Sequence, residues 1–412
     1  MTTKQKLPEG WEKGQLMDIC KIREESIEPV TLGETLVTLY SVPAFDETGK
    51  PEILRAKAIG SSKNIVRPGD VIFCKMNPRK NRVWKIDGFE TNYGLSSSEF
   101  LPLIPSEVTV DFLFYLLKSP SFQKSAMKKA QAATKSRERI NPSKVLEIDI
   151  SYPLNIDDQI AIASELEHKM AEVEKMRQAA LRQKEAISAM HGAVLGEVFP
   201  YNAGDKLPVG WRWATLGEIS TKISKGTTPT TLGHNFVSSG IPFLRAEDVN
   251  GGAVDLSKVA FYISEQTHDL LSRSKLQPGD LLITIAGTLG RIGYIPNNAP
   301  SANCNQAVAF LRLNPDIVNL QYACFVCQNT AFFSSLVGLK VTGTISNLNL
   351  ENITEAKIPL PLTLEQQTSV AMEIERKLSA MSKLQWMVNR QLEAIKALPG
   401  AYLRDVFEFA DS

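Results

Sequence analysis

The residues best suited to chemistry in this chain are not catalytic in type. Asn77, Arg79 and Arg82 stand among Lys75, Lys80 and Lys85 in the run KMNPRKNRVWK. A guanidinium presents a planar fork that fits guanine or a phosphate with two hydrogen bonds, and an asparagine amide fits adenine in the same way. The later part of the chain offers the same types at wider spacing: Arg245 and Arg291 for guanine and Asn347 for adenine. Lys225, Thr227, Thr228, Thr288, Lys340, Thr342 and Thr344 are suited to phosphate oxygens. Bases are read by side chains on their edges, while contacts to phosphate supply affinity and register.

Searches for other chemistry return little. The histidines His168, His191, His234 and His268 show no metal-binding spacing, and Cys324 and Cys327 form one CxxC inside an apolar helical run, which reads as core. Gly287, Gly290 and Gly293 match neither a dinucleotide fingerprint nor a phosphate loop with its lysine. No Asn-Pro-Pro-aromatic motif and no paired-acid nuclease signature is present, so neither metal, cofactor nor catalytic residue is expected. Asp70 and Asp280 each follow Pro-Gly, where aspartate has a turn to hold.

The formal net charge is only +1, yet the charge is unevenly placed. Between Lys118 and Lys144 lie Lys118, Lys124, Lys128, Lys129, Lys135, Arg137, Arg139 and Lys144, against one acid, Glu138. With the 75–85 cluster this makes a basic first domain suited to a polyanion, and Lys128, Lys129, Lys135, Arg137 and Arg139 join the DNA-binding candidates.

Two long periodic stretches must position these groups. From Asp157 to Phe199 the residues Ala163, Leu166, Met170, Val173, Arg177, Ala180, Lys184, Ile187, His191, Val194 and Val198 step by three and four, a heptad seam. A second seam, 208 residues on, runs through Ala371, Ile374, Leu378, Met381, Gln385, Val388, Leu392 and Ile395. Each helix of about 40 residues is roughly 60 Å long. Neither can bury its stripe alone, so the two are expected to pack on each other, with Arg177 and Gln385 as matched polar interruptions.

The repeat extends over the whole chain. Leu7-Pro8-Glu9-Gly10-Trp11 answers Leu207-Pro208-Val209-Gly210-Trp211, Pro68-Gly69-Asp70 answers Pro278-Gly279-Asp280, and Val198-Phe199 answers Val406-Phe407. The order is a domain over 1–153, a helix over 154–200, a second domain over 201–361, and a second helix and tail over 362–412. Short β-branched runs between turns predict a small α+β domain in each half, with helices from Asp111 to Ala130 and from Leu320 to Val337. No apolar run approaches the ~18 residues of a membrane span, the first residues lack an apolar signal region, and five scattered cysteines suit a reducing compartment. A cytoplasmic location is expected.

In this order the pieces resemble the specificity subunit of a type I restriction-modification system. The resemblance rests on the two LPxGW openings, Gly226-Thr227-Thr228-Pro229, Ile241-Pro242-Phe243-Leu244-Arg245, and Pro278-Gly279-Asp280 before Gly287-Thr288-Leu289-Gly290-Arg291. Asn305-Gln306, Thr342-Gly343-Thr344-Ile345-Ser346 and Ile358-Pro359-Leu360-Pro361 before Glu365-Gln366 complete it. The first half lacks the GTTP and GTxG pieces. The resemblance implies two duplicated target-recognition domains, each reading half of a bipartite double-stranded DNA site. It also implies an antiparallel coiled coil of the two long helices with pseudo-twofold symmetry. These would set the half-site spacing and dock two methyltransferase subunits, with two restriction subunits in the full complex. Two other readings compete: a methyltransferase or nuclease with an unrecognised active site, and a coiled-coil scaffold that never touches DNA.

Overall fold

The computed structural model of the chain describes residues 6–130, 138–200, 206–338 and 348–409. Contacts divide it into two compact units, Met1–Leu181 with Arg390–Ser412, and Arg182–Asn389. The long helices are Ile156–Val198 and Leu364–Phe407, and the second runs through Pro399. A proline there forfeits one hydrogen bond of the helical ladder.

The first unit opens with an antiparallel pair, Trp11–Gln15 against Asp149–Pro153. A four-stranded sheet follows in the order Cys20–Ile22, Phe100–Pro105, Val71–Cys74, Val83–Lys85. A five-stranded sheet has the order Ser26–Ile27, Lys63–Val66, Tyr93–Ser97, Leu36–Tyr40, Glu52–Arg55, with Leu36–Tyr40 and Tyr93–Ser97 parallel.

The second unit repeats this plan. Trp211–Thr215 pairs with Lys357–Pro361, and Ser220–Lys225, Val308–Leu313, Leu281–Thr284, Ile292–Tyr294 and Gly252–Ala253 form one sheet. Its other sheet, Tyr262–Ile263, Ile241–Leu244, Ala302–Cys304, Lys275–Leu276, again has a central parallel pair.

The ends of the long helices are exchanged between the two cores. In the first unit Trp11 packs edge-on against Phe112, and Phe112 meets Phe407 from the end of the second helix at 5.6 Å. In the second unit Trp211 packs against Tyr322, and Tyr322 meets Phe199 from the end of the first helix at 5.7 Å. Ala163 and Leu166 share a core with Leu403 and Phe407, whereas Leu195 and Phe199 share one with Ala371 and Ile374. The start of each helix therefore lies beside the end of the other, the antiparallel order. That exchange gives the repeated Val-Phe a physical reason: each phenylalanine closes the core of the domain that the other helix leaves.

The repeat reaches single hydrogen bonds. Gln159 is buried; its Oε1 accepts from the Thr109 backbone N–H, and its Nε2 donates to the carbonyls of Glu107 and Pro153. Gln367 does the same with Asn319, Ile317 and Pro361. Each glutamine ties a helix start to the domain beneath it. Replacing Gln159 with Leu leaves one backbone N–H and two carbonyls without their partner; the carbonyl of exposed Glu107 can turn to water, and each group left buried costs about 1–3 kcal/mol. Urea unfolding is expected to show a loss of about 2–4 kcal/mol.

Asp70 and Asp280 hold more than turns. Asp70 accepts two hydrogen bonds from the Arg23 guanidinium and one from the Arg67 backbone N–H. Asp280 accepts two from Arg312 and one from the Gln277 backbone N–H. Arg23 directly follows the strand Cys20–Ile22, whereas Arg312 lies within Val308–Leu313.

Three expectations change. The helix expected over Asp111 to Ala130 is two helices, Val110–Lys118 and Pro120–Lys129, because the Ser119 hydroxyl caps a new start and Pro120 takes its first position. At the equivalent place Asn329 separates Leu320–Gln328 from Thr330–Gly338, its side chain accepting from the Ala331 N–H. The matched polar seam also fails: Arg177 is exposed and paired with Glu174, while the Nε2 of Gln385 is buried with no hydrogen-bond partner. Arg177 holds the Glu174 carboxyl down at about 2.

Candidate nucleic-acid interface

In the second unit, stretches far apart in sequence meet at one end of the two sheets. Asn305 donates its N–H to the Leu244 carbonyl at 2.9 Å, which places Arg245 beside the Asn305–Ala307 turn. The Gly226 N–H reaches the Val308 carbonyl and the Thr227 N–H reaches that of Cys304, both at 3.1 Å. Ile285 donates to the Ala307 carbonyl at 2.8 Å, bringing in the loop that carries Thr288 and Arg291.

That last loop is closed from inside. The buried Thr284 hydroxyl donates to the Thr288 carbonyl and accepts from the Arg291 N–H. Gly287 and Gly290 have φ of +74° and +76°, and a Cβ on Gly290 would stand 2.3 Å from the Phe333 ring. Both positions therefore require glycine.

The arginine heads are braced. The Arg245 guanidinium lies 4.7 Å over the Phe261 ring and 3.3 Å from Glu247, and Arg291 donates to the Asn250 side chain. The Thr228 hydroxyl is bonded to the Gln306 side-chain oxygen. The loops that carry Lys225, Thr227, Thr228, Arg245, Thr288 and Arg291 are thus joined by backbone hydrogen bonds, whereas Lys340, Thr342, Thr344 and Asn347 lie outside the described residues.

The first unit builds its loop differently. Lys75 pairs its backbone with Glu99 and Ile140, and the Asn77 N–H donates to the Glu138 carbonyl. Asn77 and Asn81 flank a short helix, both in the left-handed region at φ of 49° and 42°, which asparagine tolerates better than most residues. Arg79 pairs with Glu138, Lys80 with Asp46, and Arg139 with Glu99.

Arg82 does not fit the role expected of it. Its side chain is 3 % exposed; Nε and Nη2 donate to the Asp46 carboxylate at 2.7 and 2.8 Å, and Nη1 donates to the Met76 carbonyl at 3.3 Å. A guanidinium held in that way has no face left for guanine, so Arg82 is a structural ion pair. Arg82, with Lys80 behind it, holds the Asp46 carboxyl well below the usual carboxylate range.

Lys128 and Lys129 are exposed in the last turn of Pro120–Lys129, and Lys135 and Arg137 lie outside the described residues. Beside that helix Lys13, Lys124, Lys128, Ser121 and Ser125 line a cleft of about 620 Å³. Among the described residues no group of three or more His, Cys, Asp or Glu could hold a metal, and no helix is long and apolar enough to cross a membrane.

Residues 208–380 match the family model described as the type I restriction modification DNA specificity domain. Over 173 residues, 42% of this chain, it is 28% identical to the type I restriction enzyme EcoBI specificity subunit of Escherichia coli. It is 24% identical over 174 residues to the EcoEI specificity subunit of the same organism. The second half of the chain is thus similar to the DNA specificity domain of type I restriction enzymes.

The matches cover 35% and 28% of the two relatives, so the chain aligns with about a third of their length. Likeness of fold covers more. A chain solved in work on assembly and conformational transition of a type I R-M system has a TM-score of 0.81 at 21% identity, over 98% of this chain and 99% of that one. The HsdS subunit of Thermoanaerobacter tengcongensis has a TM-score of 0.61 at 21% identity, over 97% of both.

Sequence reasoning left Gln306, Asn250 and Phe261 out of the site. The exposed Gln306 had a signal, since it sits in the Asn305-Gln306 pair between two strands. Asn250 and Phe261 had none, because their role depends on which strands lie side by side.

Proposed function

We propose that this chain is a type I specificity subunit, a non-catalytic, cytoplasmic reader of double-stranded DNA. It recognises a bipartite site, one half through each globular domain, and directs methyltransferase and restriction subunits to it. The observation that carries the reading is that backbone hydrogen bonds join the loops of Lys225–Thr228, Arg245, Thr288–Arg291 and Asn305–Gln306 in the domain matched by the specificity-domain model. In the first domain, Lys75, Asn77, Arg79, Lys80, Arg139, Lys128 and Lys129 take the corresponding part. Similarity to specificity subunits favours a reader over a methyltransferase or nuclease of this chain's own.

The partners follow from the repeat. Leu154 and Leu362, 61% and 64% exposed, stand 208 residues apart at the starts of the two long helices. Ile156 and Leu364, also exposed, repeat the pattern one step on. Two apolar patches at equivalent places of a diverged duplication suit two copies of one partner, the methyltransferase subunit, with two restriction subunits joining them in the full complex.

The electrostatic part of the reading is tested by salt. The logarithm of the binding constant for duplex DNA is expected to fall linearly with that of salt concentration, by about 0.9 for each phosphate contact. Changing Lys128 and Lys129 together to Gln is expected to reduce the slope by roughly 0.9 for each contact removed, with the preferred sequence unchanged. Fluorescence anisotropy of the full chain on labelled duplex measures both. A parent slope near zero contradicts the reading.

A further inference from the structure

One exposed side chain in the second domain is held more firmly than its position requires. Gly226 is buried against the turn after Ala302–Cys304, and a Cβ there would lie 2.0 Å from the Cys304 carbonyl oxygen and 2.2 Å from that of Asn305. Those neighbours are backbone and cannot give way. Only glycine lets the 226–228 loop lie on the 305–307 turn, and that approach sets the Thr228 hydroxyl on the Gln306 side-chain oxygen.

The turn beneath is fixed from several sides. Asn305 is bonded to Leu244, the Val308 N–H returns to the Asn305 carbonyl, and the Ala307 N–H donates to the Asn305 side chain. The Ala307 carbonyl accepts from Ile285. Gln306 itself is exposed at the crest of this turn. An exposed glutamine ordinarily keeps its rotamers in solution and gives up that freedom when a contact immobilises it. Here the threonine fixes the amide beforehand, and it uses only one lone pair of the oxygen. The other lone pair and both N–H groups remain for a ligand.

An amide presenting one acceptor and one donor side by side is the complement of adenine in the major groove, whose N6 donates and whose N7 accepts. We propose that Gln306, braced by Thr228, is a base-reading residue that selects adenine at one position of the second domain's half-site. This rests on the DNA-reading function proposed above. Arg245, on the neighbouring strand end, would serve the adjoining part of the same half-site.

The test is selection from a random duplex pool by the full chain, comparing the parent with Gln306→Ala, Gln306→Glu and Thr228→Val. The parent is expected to enrich adenine at one position that Gln306→Ala releases, with discrimination there falling about 5- to 150-fold, the range of one bidentate pair. All other positions and the salt slope stay unchanged. Gln306→Glu is expected to move the preference at that position toward cytosine, whose N4 donates to a carboxylate. Thr228→Val is expected to weaken the same position without moving it. A parent motif retained at every position by Gln306→Ala overturns the proposal and leaves the DNA-reading function standing. Loss of preference at all positions, or at a base other than adenine, overturns it as well. Absence of any motif in the parent overturns both.

Discussion

Exchanging residues 207–361 for the matching domain of a related specificity subunit is expected to replace one half-site and leave the other untouched. Each globular part has its own opening tryptophan, its own closing strand and its own loop cluster, so the two readings are separable. Each changed base pair costs about 1–3 kcal/mol, so a half-site altered at three positions weakens binding to the old site by roughly 3–9 kcal/mol. The hybrid must keep a large aromatic residue at the place of Tyr322, because Phe199 from the first long helix packs on it. Selection of bound duplexes checks the outcome. A change in both half-sites would mean that the bases are read jointly by the two domains.

The second large effect concerns stability. Asp280 is 0 % exposed, and Arg312 is the residue that neutralises it, with hydrogen bonds of 2.9 Å to each carboxylate oxygen. Replacing Arg312 with Ala strands a buried charge, and losses of about 3–5 kcal/mol are usual for one broken buried pair. Arg23→Ala strands Asp70 in the same way. The loss at Arg312 is expected to depend on pH with a definite sign. Burial already pushes the Asp280 carboxyl above the ordinary aspartate range, against the pull of Arg312. A folded-state value above the unfolded one makes stability fall as pH rises through the folded value, and removing the arginine raises that value further. The gap between Arg312→Ala and the parent is therefore smallest in acid, below the unfolded aspartate value, and widens toward neutrality. Urea unfolding at a series of pH values measures it; a gap that is constant or grows in acid contradicts the assignment.

Much of this architecture is legible in the sequence because it is written twice. The openings at Trp11 and Trp211, Gln159 with Gln367, and the Val-Phe pairs all recur, and each marks a place where a helix end meets a core. The helix breaks at Ser119 and Asn329 were hidden because an apolar run of helical period does not reveal a capped turn within it. The basic run around Arg79 and Arg82 is only half legible. Its acids, Asp46 and Glu138, lie 36 and 59 residues away, and the fold alone brings them together. In the second domain the motifs point to the right loops, but the bond between Thr228 and Gln306 spans 78 residues and depends on a glycine whose role is steric.

The proposed reading of two separate half-sites by this chain is tested most directly by selecting bound sequences from a random duplex pool with the parent chain. Two short conserved blocks separated by an unselected gap of one fixed length are the expected result. A single continuous block, or binding that enriches no sequence at all, would contradict it.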